Sequence, residues 1–179
     1  PYTVEIGQGL LSSAGERVRA VCGGETAAVV SDDTVFLLYG AALCTQLEGA
    51  GYRVVPFVFP HGEASKNLST YAELVNFLAE KRLTRTDVLV ALGGGVTGDL
   101  GGFAAATYLR GIRYVQVPTT LVAQVDSAYG GKTGVDLPEG KNYVGSYHQP
   151  SAVICDTDTL SKNLFALTEQ LYTSDKCRV

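Results

Sequence analysis

The sequence predicts an α/β fold: a parallel sheet with helices on both faces. Three observations predict it. Short β-branched runs recur along the chain, helical patterns separate them, and strand-helix-strand repeats favour right-handed crossovers in one parallel sheet. At 179 residues and 46% hydrophobic content, the chain can bury one sizeable core.

The elements follow in order. YTVEIG (2 to 7) opens as a strand, and a short helix is expected over Leu11 to Val21. TAAVVS (26 to 31) is the next strand, followed by a helix over Thr34 to Gly49 whose final glycine suits a C-cap. After the strand YRVVPFVF (52 to 59) comes the clearest helix, Asn67 to Lys81. There Leu68, Tyr71, Leu74, Val75 and Leu78 form one apolar stripe, and Glu73, Asn76, Glu80 and Lys81 take the other side. DVLVAL (87 to 92), RYVQVP (113 to 118) and SAVIC (151 to 155) complete the strands, with a helical stretch DLGGFAAATYLRG (99 to 111) between the first two. The segment 137 to 150 is expected to carry a hairpin with Lys141 and Asn142.

Charge and composition exclude several classes. A net charge of −4 without a basic stripe argues against nucleic acid as a partner. No apolar run approaches the ~20 residues needed to cross a bilayer, so no membrane role is expected. No secretory signal opens the chain. The four cysteines, Cys22, Cys44, Cys155 and Cys177, form no CxxC pair and read as buried hydrophobes in a reducing, cytoplasmic compartment. The sequence contains 0 Met, which leads to the expectation that both ends are incomplete.

In parallel α/β sheets ligands bind beyond the carboxyl ends of the strands, so the loops there carry the candidate chemistry. The first is GGGVTGD, Gly93 to Asp99. Its glycines let the backbone approach a phosphate, and the helix start that follows offers free N–H groups and partial positive charge. The same residues also suit a plain strand-to-helix turn. The second loop, Pro118 to Val135, places Thr119 and Thr120 at a helix start, where they either cap it or meet a ribose or phosphate. Asp126 then falls about two turns along, and Gly130 and Gly131 break the helix before Lys132. A carboxylate and an ammonium so placed form either part of a site or a surface ion pair of about 0–1 kcal/mol.

Taken together, HGEASKN (61 to 67), GGGVTGDLGGFAAATYLRG (93 to 111), VPTTLVAQVDSAYGGKTGVD (117 to 136) and GKNYVGSYHQP (140 to 150) resemble the 3-dehydroquinate synthase family, from about Pro1 to Lys162. The triple glycine is shared with iron-type alcohol and glycerol dehydrogenases, whereas the PTT…VDS…GGKTGV block is specific to this family. The resemblance implies a Rossmann-like domain over 1–160 that holds NAD. Its cofactor contacts match Asp32, Glu63, Lys66, Gly95, Val96, Thr97, Gly98, Asp99, Thr119, Thr120, Lys141, Thr159 and Leu160. Substrate contacts match Asp126, Lys132 and Asn142. Arg110 matches an arginine donated to the phosphate site of a neighbouring subunit, which implies a homodimer. The implied reaction converts a phosphorylated sugar acid, 3-deoxy-D-arabino-heptulosonate 7-phosphate, to 3-dehydroquinate and phosphate, with NAD carrying a transient hydride and zinc or cobalt acting as Lewis acid.

The match fails after Leu160. Where the family has a GxAExxK helix, this chain reads SKNLFALTEQLYTSDKCRV, and the position of the metal-binding Glu falls on Ser174. Residues 161–179 are therefore expected to be a divergent tail, with the family's C-terminal helical metal-binding domain absent and no metal ligand in this chain. Neither His61 nor His148 sits in an HxxxH-type arrangement, and His148 reads as a packed loop residue. Two other readings stay open: a non-catalytic NAD-binding module, and another sugar-phosphate cyclase such as a 2-deoxy-scyllo-inosose synthase.

Overall fold

The computed structural model describes residues 1–160. Six strands form one parallel sheet: β1 (Thr3–Gly7), β2 (Thr26–Asp32), β3 (Arg53–Phe59), β4 (Val88–Gly93), β5 (Arg113–Pro118) and, after a separate hairpin of β6 (Lys132–Leu137) with β7 (Gly140–Tyr147), β8 (Ala152–Asp156). Their spatial order is β1-β8-β5-β4-β2-β3. The helices are α1 (Ala14–Val21), α2 (Asp33–Val35), α3 (Ala41–Gly49), α4 (Leu68–Glu80) and α5 (Gly95–Thr107).

The central strands are buried on both sides, which is why they read as apolar runs. Alternate residues serve opposite faces. Val29, Val88, Val90 and Leu92 pack with Val18, Leu43 and Leu47 of α1 and α3. Ala28, Val30, Leu89 and Ala91 pack with Leu74, Leu78, Leu100 and Ala104 of α4 and α5. The expected two-faced α/β architecture is the observed one, and no helix among the described residues is long and apolar enough to cross a membrane.

Three sequence expectations need correction. Helix α5 begins at Gly95, four residues ahead of Asp99, so the glycine bend is mostly helix and only Gly94 lies between strand and helix. The helix expected over Thr34 to Gly49 is interrupted by a π-helical turn, Phe36–Gly40. A Cβ at Gly40 would come within 2.5 Å of the Phe36 ring, so the glycine leaves room for that ring against the helix. The hairpin starts at Lys132 rather than after Leu137, because Lys132–Leu137 is itself a strand paired antiparallel with β7. Its register to the rest of the domain comes from α5, where a Cβ at Gly102 would lie 2.5 Å from Thr133 Cγ2. Gly102 of α5 thus lets the hairpin lie directly on the helix, while Gly101 brings the opposite face close to Leu89 and Ala91 of β4.

Candidate active site

Strand order places the site. The chain passes from β2 outward to β3, then crosses to the other side of β2 for β4 and β5. The carboxyl ends of β2 and β4 therefore flank a switch point, where the following loops diverge and leave a crevice. Asp32 ends β2 and Gly93 ends β4. Asp32 caps α2, with Oδ1 accepting from Val35 N at 2.9 Å.

At the end of β4, Gly94 is the N-cap of α5 and supplies no side-chain acceptor to the first turn. The N–H groups of Gly95, Val96 and Thr97 lie in that uncapped turn, whose dipole favours an anion. A Cβ at Gly94 would stand 3.1 Å from Thr120 Cγ2, and one at Gly95 would stand 3.2 Å from Ser127 Oγ. The gap between α5 and the loop after β5 is therefore one that glycine keeps open. Thr97, Gly98, Thr119 and Thr159 are buried beneath this edge. The buried Thr97 side chain lies against Gly93, so only its backbone N–H is available at the helix start. Thr159 and Leu160 follow β8, and the Thr159 hydroxyl is engaged with Asp156 O at 2.7 Å and Gln124 Nε2 at 3.0 Å. Thr120 caps the next turn, accepting from Ala123 N at 3.3 Å. That turn is a π-helical Ala123–Ser127, and it carries Asp126 outward.

Lys66 joins the parts. Only 5% exposed, its Nζ donates to Asn142 Oδ1 at 2.8 Å and to Asp99 Oδ2 at 3.2 Å. Glu63 and Asp136 each place a carboxylate oxygen 3.6 Å away. Burial alone would push the Lys66 ammonium down, but the carboxylates of Asp99, Glu63 and Asp136 outweigh it and hold the pKa above its ordinary value. Burial raises the Asp99 carboxyl, and the Lys66 charge only partly offsets that rise. Lys141 reaches the same cluster through Glu63 Oε1 at 2.9 Å.

Beyond the cluster opens a cavity of about 670 Å³, lined among others by Asp99, Asp126, Lys132 and Asn142. Three substrate-contact candidates thus share one wall system with a cofactor candidate. Tyr129 also lines it, and its hydroxyl donates to Gln124 O at 2.7 Å. Burial and the neighbouring Cys155 push that phenol up, so it stays a proton donor. Arg110 is apart from all of these. It follows α5 at the end away from the glycine bend, exposed and in a left-handed conformation with φ 67°. Among the described residues no three His, Cys, Asp or Glu side chains come together as a metal site. His148 stacks on Tyr114 and meets Ile112 O at 2.9 Å, a packed loop residue. Ser174 and the rest of 161–179 lie outside the described residues.

Sequence reasoning missed Gln124 and Asp136. Gln124 is buried, and its Nε2 contacts Pro118 O, Asp156 O and Thr159 Oγ1, tying the ends of β5 and β8. No local pattern marks it. Asp136 had a signal, its place before the hairpin turn LPEG, where an acid often satisfies turn N–H groups.

The 3-dehydroquinate synthase N-terminal family matches residues 56–167. A 3-dehydroquinate synthase of Clostridium acetobutylicum is 48% identical over 155 residues, covering 87% of this chain and 44% of the relative. One from Symbiobacterium thermophilum is 53% identical over 160 residues, covering 89% and 45%. The chain therefore spans less than half the length of the curated relatives it matches. Among solved structures, a 2-deoxy-scyllo-inosose synthase complexed with carbaglucose-6-phosphate, NAD+ and Co2+ superposes with a TM-score of 0.82 at 33% identity, over 90% of this chain and 44% of that one. A glycerol dehydrogenase of Schizosaccharomyces pombe, at 21% identity and a TM-score of 0.72 over 89% and 38%, shares the fold. Taken with the sequence blocks now seen gathered at one sheet edge, the matched residues show that this chain belongs to the 3-dehydroquinate synthase family.

Proposed function

We propose that residues 1–160 are the NAD-binding domain of a cytoplasmic, homodimeric 3-dehydroquinate synthase. Its reaction would convert 3-deoxy-D-arabino-heptulosonate 7-phosphate to 3-dehydroquinate and phosphate. The observation that carries this reading is Lys66, a buried ammonium bonded at once to Asp99 beside the glycine bend and to Asn142 beside the cavity. One cation thus ties the start of α5 to a polar pocket.

The residues present fit NAD. The gap kept open by Gly94 and Gly95 admits a diphosphate to the uncapped first turn of α5. Asp32 keeps Oδ2 for ribose hydroxyls while Oδ1 caps α2. Glu63, Lys66, Asp99, Thr120 and Lys141 would hold the rest of the dinucleotide. Bound there, NAD supplies a reversible hydride acceptor. The chain's own residues bind and orient. Lys132 and the Asn142 amide suit the anionic groups of a sugar-acid phosphate, and Asp126 suits its hydroxyls. Arg110, about 20 Å along α5 from the bend, would serve the pocket of a second copy. A zinc or cobalt ion does not fit the described residues, which bring no three His, Cys, Asp or Glu side chains together.

The alternative of another sugar-phosphate cyclase rests on the fold of the inosose synthase at 33% identity, below the 48% and 53% shared with dehydroquinate synthases. The test is calorimetric titration of the chain with NAD beside an Asp99→Ala variant. At least about a tenfold loss of affinity is expected in the variant. Equal affinity defeats the assignment.

A further inference from the structure

The hairpin is irregular at one place. Val135 pairs with Val144 and Leu137 pairs with Gly140, so Lys141, Asn142 and Tyr143 stand against Asp136 alone. Bulges of this kind interrupt the ladder, bend the strand and re-aim side chains. Here the interruption deprives Asn142 of its cross-strand carbonyl. The replacement is a side chain: Asp136 Oδ1 accepts from Asn142 N at 2.8 Å. Asn142 takes φ 59°, a left-handed conformation that asparagine tolerates better than most residues.

We propose that Asp136, a residue no comparison or motif assigns, is the positioning residue of this site: its carboxylate clasps the β6–β7 bulge and so aims Lys141 at Glu63 and Asn142 at Lys66 and the cavity. The inference rests on the proposed NAD and sugar-phosphate reading for its functional meaning. Asp136 is anchored from behind as well. Its own N–H donates to Lys66 O at 2.8 Å, and a β-bridge joins it to Asn67. Its Oδ1 stands 3.6 Å from Lys66 Nζ. The same carboxylate therefore fixes the Asn142 backbone and faces the ammonium that holds the Asn142 side chain. Because Lys66 occupies Asn142 Oδ1 at 2.8 Å, the amide turns its NH2 outward. An amide so turned offers donors to an anionic oxygen in the cavity. Without the clasp the bulge residues are free to swing, and Lys141 and Asn142 lose their common aim.

The test compares the unaltered chain with Asp136→Ala and Asp136→Asn. In the Asp136→Asn variant the side-chain oxygen can still accept from the Asn142 amide, so the clasp is kept. In the unliganded protein, amide hydrogen exchange at Lys141–Tyr143 is expected to be at least about tenfold faster in Asp136→Ala and nearly unaltered in Asp136→Asn. A residue serving only stability would speed exchange at Thr133 and Gly145 equally, and that result overturns the clasp. Inorganic phosphate, titrated while following the Asn142 side-chain amide signal, should bind about tenfold more weakly to Asp136→Ala and within about threefold of the unaltered chain for Asp136→Asn. Equal response in all three chains, or none, overturns the positioning role. Failure of NAD to perturb Gly95–Asp99 would instead count against the proposed function, since the exchange measurement needs no ligand.

Discussion

Two aspartates, one just before β4 and one in the helix after it, behave in opposite ways. Asp87, at the amino end, is 3% exposed and has every oxygen answered: Oδ1 accepts from Glu25 N at 2.9 Å and Thr26 N at 2.8 Å, and Oδ2 from Thr84 N at 2.6 Å and Thr84 Oγ1 at 2.9 Å. Burial pushes its carboxyl up, but those backbone donors overcome that and hold it below the usual range. Asp99, past the carboxyl end, has one ammonium partner and is held above the usual range by burial. The difference separates structure from function. At the amino edge both carboxylate oxygens are answered by donors, while beyond the carboxyl edge Asp99 has a single ammonium partner and a raised pKa, the pattern that marks a candidate functional group.

The comparison can be broken by mutation. Asp87→Ala leaves the buried Thr26 N–H and the part-buried Glu25 and Thr84 N–H groups without their acceptor, and it should cost about 2–3 kcal/mol, lowering Tm by several degrees in thermal melts. NAD affinity measured below the melting range should stay as it was. Lys66→Met removes the shared ammonium, leaving the carboxylates of Asp99, Glu63 and Asp136 facing one another. NAD binding by calorimetry should weaken by about tenfold or more, with a smaller change in Tm than Asp87→Ala gives.

A pH series sharpens it. For Asp99 the folded pKa lies above the unfolded one, so between them the native state holds more protons and stability falls as pH rises through that window. For Asp87 the folded pKa is depressed, so its stabilisation is present above about pH 4 and lost as pH falls through the folded value. Thermal melts should therefore show Asp99→Asn gaining on the unaltered chain as pH rises above about 4, while Asp87→Asn closes its deficit below about pH 4. Parallel curves for the two variants would erase the distinction. The smallest expected effect on stability is that of Gly95→Ala, whose Cβ meets only the end of the Ser127 side chain at 3.2 Å. Tm should move by no more than a few degrees, yet NAD affinity should drop measurably because the methyl narrows the crevice.

Legibility in the sequence followed the range of the forces involved. The parallel strands were readable because burial on both faces writes itself as a local apolar run, as in Val88–Gly93. β6 was not, since Lys132–Leu137 has no continuous apolar run and is defined by pairing across a bulge. The glycine bend was visible, but the start of α5 was misplaced because glycines are poor helix formers, and the helix is held by the packing of later residues such as Leu100 and Ala104 on the sheet. The Lys66 cluster could not be read locally. Its bonds span 33 residues to Asp99 and 76 to Asn142, and nothing near Lys66 announces a buried cation. The family resemblance supplied the residues, and the structure supplied the reason they belong together.

The sheet order has a consequence for how the chain comes to be folded. β8 lies between β1 and β5, so among the described residues Thr3–Gly7 is paired only with Ala152–Asp156. During synthesis the first strand emerges early and must wait, with an unpaired edge, until nearly 150 further residues have been added. Closure by a partner so distant along the chain carries a high loop entropy and slows the last step of assembly. Any version of the polypeptide ending before Ala152 would leave Thr3–Gly7 as an open template for pairing between molecules.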